Sequence, residues 1–494
     1  MSLIGVDIGT STCKAALYSA GGRLIAGASR SYPTLHPAPL WAELDSRLVV
    51  SAAIDVVREL GAKAGKERVT ALAFSAMGEA MTPVSADRKI LGHAILMADR
   101  RGEEEIRLFA GRFDPDELYA INPNIVSPNY SLPKLLWLRR ERPQLYASAD
   151  RFLLFAELVP YLLGLDPVTS YSQANRTLLF DLRAQAWSDR LCREAGIDPA
   201  RLPAPAPSGQ VLGELGAAAA ERLGLGKGTL CVLGTHDQCA AALGSGLWSA
   251  GGAACGIGTV ECITPVYDGI PDLGAMRALG FNVEHHAVPG LYVSFIYNQA
   301  GSLVNWFRST FASTERLGSE SEAFERLSAE MPSEPTSLLV LPYFEPVGAP
   351  KFIQDASGLI LGLRTSTSRG EILKAILECE TYFFLESLGP LRGLGIDTRR
   401  FVASGGGAKS AAWLQIKADV MGLPFERATA PEAGALGAAM IAGLGSGVFA
   451  SYAEAAALYV GRGEVFEPDS LRHRIYAEKY ERYKELYPRL ADIL

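Results

Sequence analysis

The chain has 494 residues, more than one ordinary core holds, so two domains are expected. Hydrophobic residues make up 48% and charged residues 20%, a globular composition; the net charge is −7 with no basic block, which argues against nucleic acid as a partner. The seven cysteines are scattered without a CxxC pair and no basic, apolar leader precedes the first strand, so a reduced, cytoplasmic protein is expected.

In chain order, residues 3–6 are apolar throughout, as a buried strand should be, and end in Asp7-Ile8-Gly9-Thr10-Ser11-Thr12. Strands over 14–19 and 24–29 follow, joined at Gly21-Gly22. A helix is expected over 52–62, a strand over 69–75, a helix over 132–140 and a strand over 230–233. The apolar run 153–165 is broken by Glu157 and Pro160, and 433–450 is mostly Gly and Ala, so neither suits a lipid span and no membrane partner is expected. Helices are further expected over 321–331 and 369–388, and strands over 338–341 and 400–403. The terminal 478–487 reads as a helix whose tyrosines form a packing stripe. The alternation of strands and helices is an α/β pattern with covered sheets.

The chain nearly repeats itself. Ile8-Gly9-Thr10 returns as Ile257-Gly258-Thr259, and Ala242-Leu243-Gly244, after Asp237, returns as Ala435-Leu436-Gly437, after Glu432. The two echoes in the same order point to a duplicated domain. The division is expected at 248/249, in a Gly/Ser/Ala-rich segment, giving units 1–248 and 249–494, with the last helix packed back on the first unit.

A Gly-Thr turn after a buried strand offers backbone N–H groups to phosphate oxygens, and Thr10, Ser11 and Thr12 add hydroxyls while Lys14 adds charge. Gly258 and Thr259 offer the same from the other half. Neither turn is a P-loop, and Gly405-Gly406-Gly407 is not a dinucleotide fingerprint, though it lets backbone approach a flat ring or a phosphate. Asp7 beside phosphate makes sense if Mg²⁺ lies between them, held through water. Glu284-His285-His286 reads as a polar loop rather than a metal site.

These residues together resemble the FGGY family of carbohydrate kinases, within the actin-like ATPase superfamily. The resemblance runs over essentially the whole chain: Asp7-x-Gly9-Thr10-Ser11, Asp237, Gly258-Thr259 and Gly405-Gly406-Gly407 stand in the family's order. Gly358-Leu-Ile-Leu-Gly362-Leu363, seven residues, then Glu371-Ile372 onward fits the C-terminal signature, and 131–141 fits the N-terminal one, with Asn129 just ahead of it standing where a Gly, Ser, Met or aromatic is usual. The resemblance implies two ribonuclease-H-like domains around a nucleotide cleft, ATP as phosphoryl donor, Mg²⁺, and Asp237 as the base for a sugar hydroxyl. It places Gly301, Asn305, Gly407 and Ala411 near ribose and adenine. The small residues after Asp237 would form a helix meeting 433–442 at the domain interface, where bulk would wedge the cleft open. His236 and Gln238 would flank the base, Gln238 touching the acceptor and His236 as a structural neighbour.

For the acceptor, Met77-Gly78-Glu79 corresponds to a sugar-contacting loop: Met77 matches xylulose kinases, Gly78 replaces their His, and Glu79 matches glycerol kinases. Asp99 is expected to bind two sugar hydroxyls, with Arg100 bracing it. Trp41-x-Glu43-x-Asp45 resembles a xylulose-kinase stretch, whereas 342–350 departs from that subgroup. The expectation is ATP-dependent, direct in-line transfer to a ketopentose such as xylulose, with glycerol, erythritol or ribulose as alternatives. An actin-like ATPase scaffold and a catalytically silent sugar sensor are the rivals from other classes. A homodimer is left open.

Overall fold

The computed structural model describes residues 1–492 apart from 66, 314–319, 349, 354 and 356. It contains two large sheets built on the same plan. The first has β1 (Ser2–Ile8), β2 (Thr12–Ser19), β3 (Leu24–Ser31), β4 (Val69–Ala76), β5 (Val211–Glu214) and β6 (Leu230–Val232), in the order β5-β6-β4-β1-β2-β3. The second has β7 (Gly252–Ile257), β8 (Glu261–Asp268), β9 (Glu284–His285), β10 (Leu291–Val293), β11 (Ile296–Asn298), β12 (Arg400–Ser404), β13 (Phe425–Arg427) and β14 (Val465–Phe466). Its order is β9-β10-β8-β7-β12-β13-β14, with β11 pairing β8.

The echo between the halves is now physical. β1-β2-β3 and β7-β8-β10 are both antiparallel triplets. β4 joins β1 in parallel, and β12 joins β7 in parallel. β6 and β13 then extend each sheet in parallel. Central strands are apolar because both faces are covered; every residue of β1 except Asp7 is buried.

The helices that matter here are α1 (Ser46–Lys63), α2 (Ser131–Glu141), α3 (Tyr171–Asn175), α4 (Asp237–Gly244), α5 (Ala300–Phe311), α6 (Arg369–Gly393), α7 (Ala411–Met421), α8 (Ala433–Gly445), α9 (Tyr452–Tyr459) and α10 (Ser470–Lys484). Their starts are written in the sequence. Asp45 accepts from Arg47 N at the head of α1, and Ser368 with Glu371 forms a reciprocal capping box on α6. That gives two signature residues, Asp45 and Glu371, a structural role.

α4 and α8 cross between the sheets with almost no side chain between them. A Cβ on Gly437 would stand 1.9 Å from Ala240 O, and one on Gly244 would stand 1.9 Å from Ala433 O. On the other side of α8, a Cβ on Gly5 would stand 1.8 Å from Ala435 O. The small-residue runs are therefore required by backbone approaching backbone.

Several expectations change. The strand expected over 338–341 forms (Leu339–Leu341) but in a separate ribbon with Leu359–Leu361. The last helix begins earlier, at Ser470, and does not return to the first half. It packs on α6: Tyr476 OH donates to Glu378 Oε1 at 3.0 Å, and Tyr382 OH donates to Tyr476 O at 3.1 Å. The buried Glu378 draws it there, pairing with Lys479 at 2.5 Å. α9 is the helix that returns, with Tyr459 OH donating to Ser19 O at 2.7 Å. Glu284 and His285 form a buried strand rather than a polar loop. The cysteines are free, as expected, and six of them are buried. No helix among the described residues is long and apolar enough to cross a membrane.

Candidate active site

Three chain segments converge at the ends of β4 and β6. Met77 N donates to Ile8 O at 3.0 Å, tying the 77–79 loop to β1. Ala76 N donates to Thr235 O at 3.2 Å, which brings the start of α4 alongside. α3 locks both: Gln173 Nε2 donates to Ala76 O at 2.8 Å, and Ser172 Oγ accepts from His236 N at 3.0 Å. Asp237 is then the first residue of α4, where the helix N-terminus favours a carboxylate.

A cavity of about 320 Å³ opens here. Asp237, Gln238, Met77, Gly78 and Glu79, the expected base and acceptor residues, line it together with Thr10, which was expected at the phosphates. Tyr130 and Arg176 also line it from the first half, and Asn282, Phe295 and Tyr297 close it from the second. Val260, directly after Gly258-Thr259, lies on its wall.

On the far side of that same turn is a second cavity, of about 310 Å³. Gly258, Thr259, Gly301, Asn305, Gly406 and Gly407 line it, six of the expected nucleotide positions, beside Trp413 and Phe324. Gly301 lets α5 start against the turn, since a Cβ there would stand 2.2 Å from Gly258 O. Ala411 is exposed and does not line this cavity. The turn 258–260 is thus the wall between the two cavities.

The turns themselves differ from expectation in one respect. Gly9 N donates to Thr12 O at 3.1 Å and Gly258 N to Val260 O at 3.2 Å, so both glycine N–H groups close their own hairpins. Thr10, Ser11 and Thr259 are left to present donors. Tyr32 OH props the first turn through Gly9 O at 2.5 Å. The Thr12 hydroxyl shares a hydrogen bond with Ser31 at 3.2 Å, and Lys14 is paired with Glu432 at 2.8 Å.

Asp99 is a correction. It is 0% exposed, does not line the cavity, and both its oxygens are engaged. Arg101, not Arg100, braces it: Nη2 reaches Oδ2 at 2.6 Å and Nε lies 3.0 Å from both oxygens. Ala42 N adds a third donor, at 2.6 Å. Burial raises the Asp99 pKa, but Arg101 and these N–H groups outweigh it and hold the carboxyl below its usual range. Arg101 itself stacks on Trp41 and pairs with Glu43 at 2.6 Å, which accounts for the Trp-x-Glu stretch. Arg100 pairs with Glu103 instead.

Asp237 Oδ1 accepts from Gln238 N at 2.7 Å and lies 3.1 Å from His236 Nε2. Burial, then Asp7 and Glu79, push its pKa up to about 7. Burial and then Arg176 hold the His236 pKa far below its usual value, so the ring is neutral and Nε2–H can donate to the aspartate. Asp7 is pushed up to about 6, first by burial, against the hydroxyl of Ser75 at 2.7 Å and the charge of Lys14. Gly434 leaves room for it; a Cβ there would stand 2.4 Å from Asp7 Oδ2.

Arg176, Tyr130, Asn282 and Phe295 were not foreseen. Arg176 carried a signal: it is a charged residue in an otherwise uncharged stretch, 172–180.

Two duplicated sheets, a carboxylate at a helix start and a polar turn parting two cavities define a phosphoryl-transfer fold. The chain belongs to the FGGY family of carbohydrate kinases: the N-terminal domain model matches residues 2–244 and the C-terminal one residues 274–446. It is 28% identical over 496 residues to the xylulose kinase of Bacillus subtilis (strain 168), covering 99% of this chain and 97% of that protein. It is 27% identical to the L-xylulose/3-keto-L-gulonate kinase of Escherichia coli (strain K12), covering 98% and 96%. The crystal structure of xylulose kinase from Rhodospirillum rubrum superposes with a TM-score of 0.90 at 27% identity, covering 100% and 99%. The protein is a carbohydrate kinase that transfers phosphoryl to a sugar or polyol hydroxyl, and its family implies ATP as donor.

Proposed function

We propose that the first cavity takes the acceptor, that the second takes the nucleotide, and that the acceptor is a ketopentose such as xylulose. The observation that carries this is the position of Asp237 on the wall of the same cavity as Met77 and Glu79. The names of the relatives favour xylulose over the alternatives.

Asp237 orients the acceptor hydroxyl and takes its proton, a contribution of about 10²–10⁴-fold. Gln238 N and His236 both engage Oδ1, which leaves Oδ2 for the hydroxyl. Met77 and Glu79 hold the sugar, Glu79 by accepting hydroxyl hydrogen bonds. Thr10, Ser11 and Thr259 donate to phosphoryl oxygens, and Lys14 adds charge beside them. Gly301, Asn305, Gly406 and Gly407 seat the nucleotide against Trp413.

Mg²⁺ suits the donor set. No group of three or more ligating side chains among the described residues could hold a metal alone, but Mg²⁺ needs only one or two carboxylates plus phosphate oxygens. Asp7 would hold it through water, and the ion would neutralise phosphoryl charge.

We take the units to be 1–248 and 249–494, a reading the two sheets support because the first ends with β6 and the second begins with β7. A cytoplasmic location with neither nucleic acid nor membrane as partner agrees with the net charge of −7.

The test is an ADP-coupled assay over ketopentoses, ketohexoses, glycerol and erythritol. A ketopentose should give the highest kcat/KM; a higher value for a polyol would replace the acceptor assigned here.

A further inference from the structure

Arg176 reaches the acceptor cavity from the end of α3 and is gripped by carboxylates of both halves. Its Nε donates to Glu79 Oε1 at 2.6 Å, and Nη2 donates to the same oxygen. Its Nη1 donates to Glu284 Oε1, on β9, at 2.8 Å. The guanidinium lies 4.9 Å from the centre of the Tyr130 ring and 5.6 Å from that of Phe295.

The surroundings are built for it. Gly78 has no Cβ, and one would stand 2.8 Å from Arg176 Cγ. Glu79 holds φ at 65°, a conformation that costs a non-glycine residue free energy and persists when neighbours impose it. Glu284 is a fully buried carboxylate whose Oε1 also accepts from Asn282 Nδ2 at 2.9 Å. Its Oε2 has no hydrogen-bond partner.

The charges decide what can enter. One guanidinium faces Glu79, Glu284 and the nearby Asp237. A guanidinium already shared by two carboxylates has little attraction left for a third, and an incoming carboxylate would meet like charge from Glu79 and Asp237. Neutral hydroxyl and carbonyl oxygens meet no such penalty. They can accept from the remaining N–H bonds of Arg176, and hydroxyls can donate to Glu79.

We infer that Arg176, Glu79 and Glu284 form a specificity-determining cluster that admits uncharged polyhydroxylated acceptors and turns away those bearing a carboxylate. This rests on the reading of the first cavity as the acceptor site. The name of one relative includes 3-keto-L-gulonate, a keto acid, and the cluster should make this a poor acceptor for the present chain.

The test compares kcat/KM for neutral acceptors (xylulose, ribulose, glycerol) with that for acids (gluconate, 3-ketogulonate) in the wild type and in Glu284→Gln. The best neutral acceptor should exceed the best acid by more than tenfold. Glu284→Gln, which removes one negative charge at constant shape, should shrink that ratio threefold or more. If it does not fold, judged by Tm and ATP binding, Glu79→Gln removes the charge of the other carboxylate on Arg176 and the same threshold applies. A wild-type ratio of tenfold or less, or a ratio unmoved in the folded variant, overturns the inference. Absence of turnover with every acceptor would instead overturn the acceptor-site reading, and the inference with it.

Discussion

Lys14 Nζ lies 2.8 Å from Glu432 Oε2, across 418 positions of chain. The pair joins β2 to the residue just before α8, and so joins the two halves beside Asp7. Asp7 faces Lys14 in the β1–β2 register. Lys14 lowers the Asp7 pKa and Glu432 raises it. Lys14→Met should therefore move the acid limb of kcat/KM for the acceptor to higher pH, and Glu432→Gln should move it lower. Profiles of the two variants that shift the same way would contradict this placement.

Asp237→Asn keeps the shape of the side chain and removes its basicity. We expect kcat to fall about 10²–10⁴-fold, with the Kd for ATP within about threefold of wild type. Stopped assays and calorimetric titration separate the two quantities. A variant turning over near the wild-type rate would require another base.

The wild-type pH profile follows from the same carboxylate. A base works only when deprotonated, and burial with Asp7 and Glu79 nearby lifts Asp237 to about 7. Activity should rise as pH climbs through about 7 and, further below it, fall with a slope approaching about tenfold per pH unit. Asp7 is linked to Asp237, so the apparent values belong to the pair. A flat profile from pH 5 to 8 would remove Asp237 from proton transfer.

Glycines in two helices should respond with opposite signs. Gly437→Ala places a Cβ against Ala240 O, and overpacking of this kind costs about 1–3 kcal/mol or more. Gly393, in the last turn of α6, has nothing within 4 Å of an added Cβ and no proline after it, so Gly393→Ala should stabilise by about 0.5–1 kcal/mol. Urea midpoints of the two variants measure both effects.

Lys417 and Glu261 are fully buried and 2.6 Å apart. Lys417→Met leaves the carboxylate without a counter-charge in the core of the second half, with only the weak Cys255 thiol donor at 3.3 Å, and should destabilise by about 3–5 kcal/mol. The double variant Lys417→Met, Glu261→Leu should recover much of that loss. A single variant as stable as wild type would show that the carboxylate finds another partner.

Much of this was legible because the features are local. A buried strand ending in Gly-Thr and an aspartate heading a run of small residues each lie within a few positions. What could not be read is long-range pairing. Arg176 and Glu284 stand alone in uncharged stretches 108 positions apart, and only the fold brings them together. Asp99 was misread for a related reason: the sequence offers Arg100 and Arg101 alike, and the paired rings of Trp41 and Trp137, over which its guanidinium lies, select Arg101. The last helix was expected on the wrong half because nothing local reveals that Glu378 needs Lys479.

The meeting of α4 and α8 has a consequence for motion and for ancestry. With so few side chains interleaved, any shift of α4 on α8 would meet backbone and methyl groups rather than long rotamers at this crossing. The same closeness shuts the crossing to drift, since even a methyl group is too much. New tastes in this enzyme must then arise on the cavity walls, among residues such as Gly78, Arg176 and Glu284, while the crossing beneath them stays fixed.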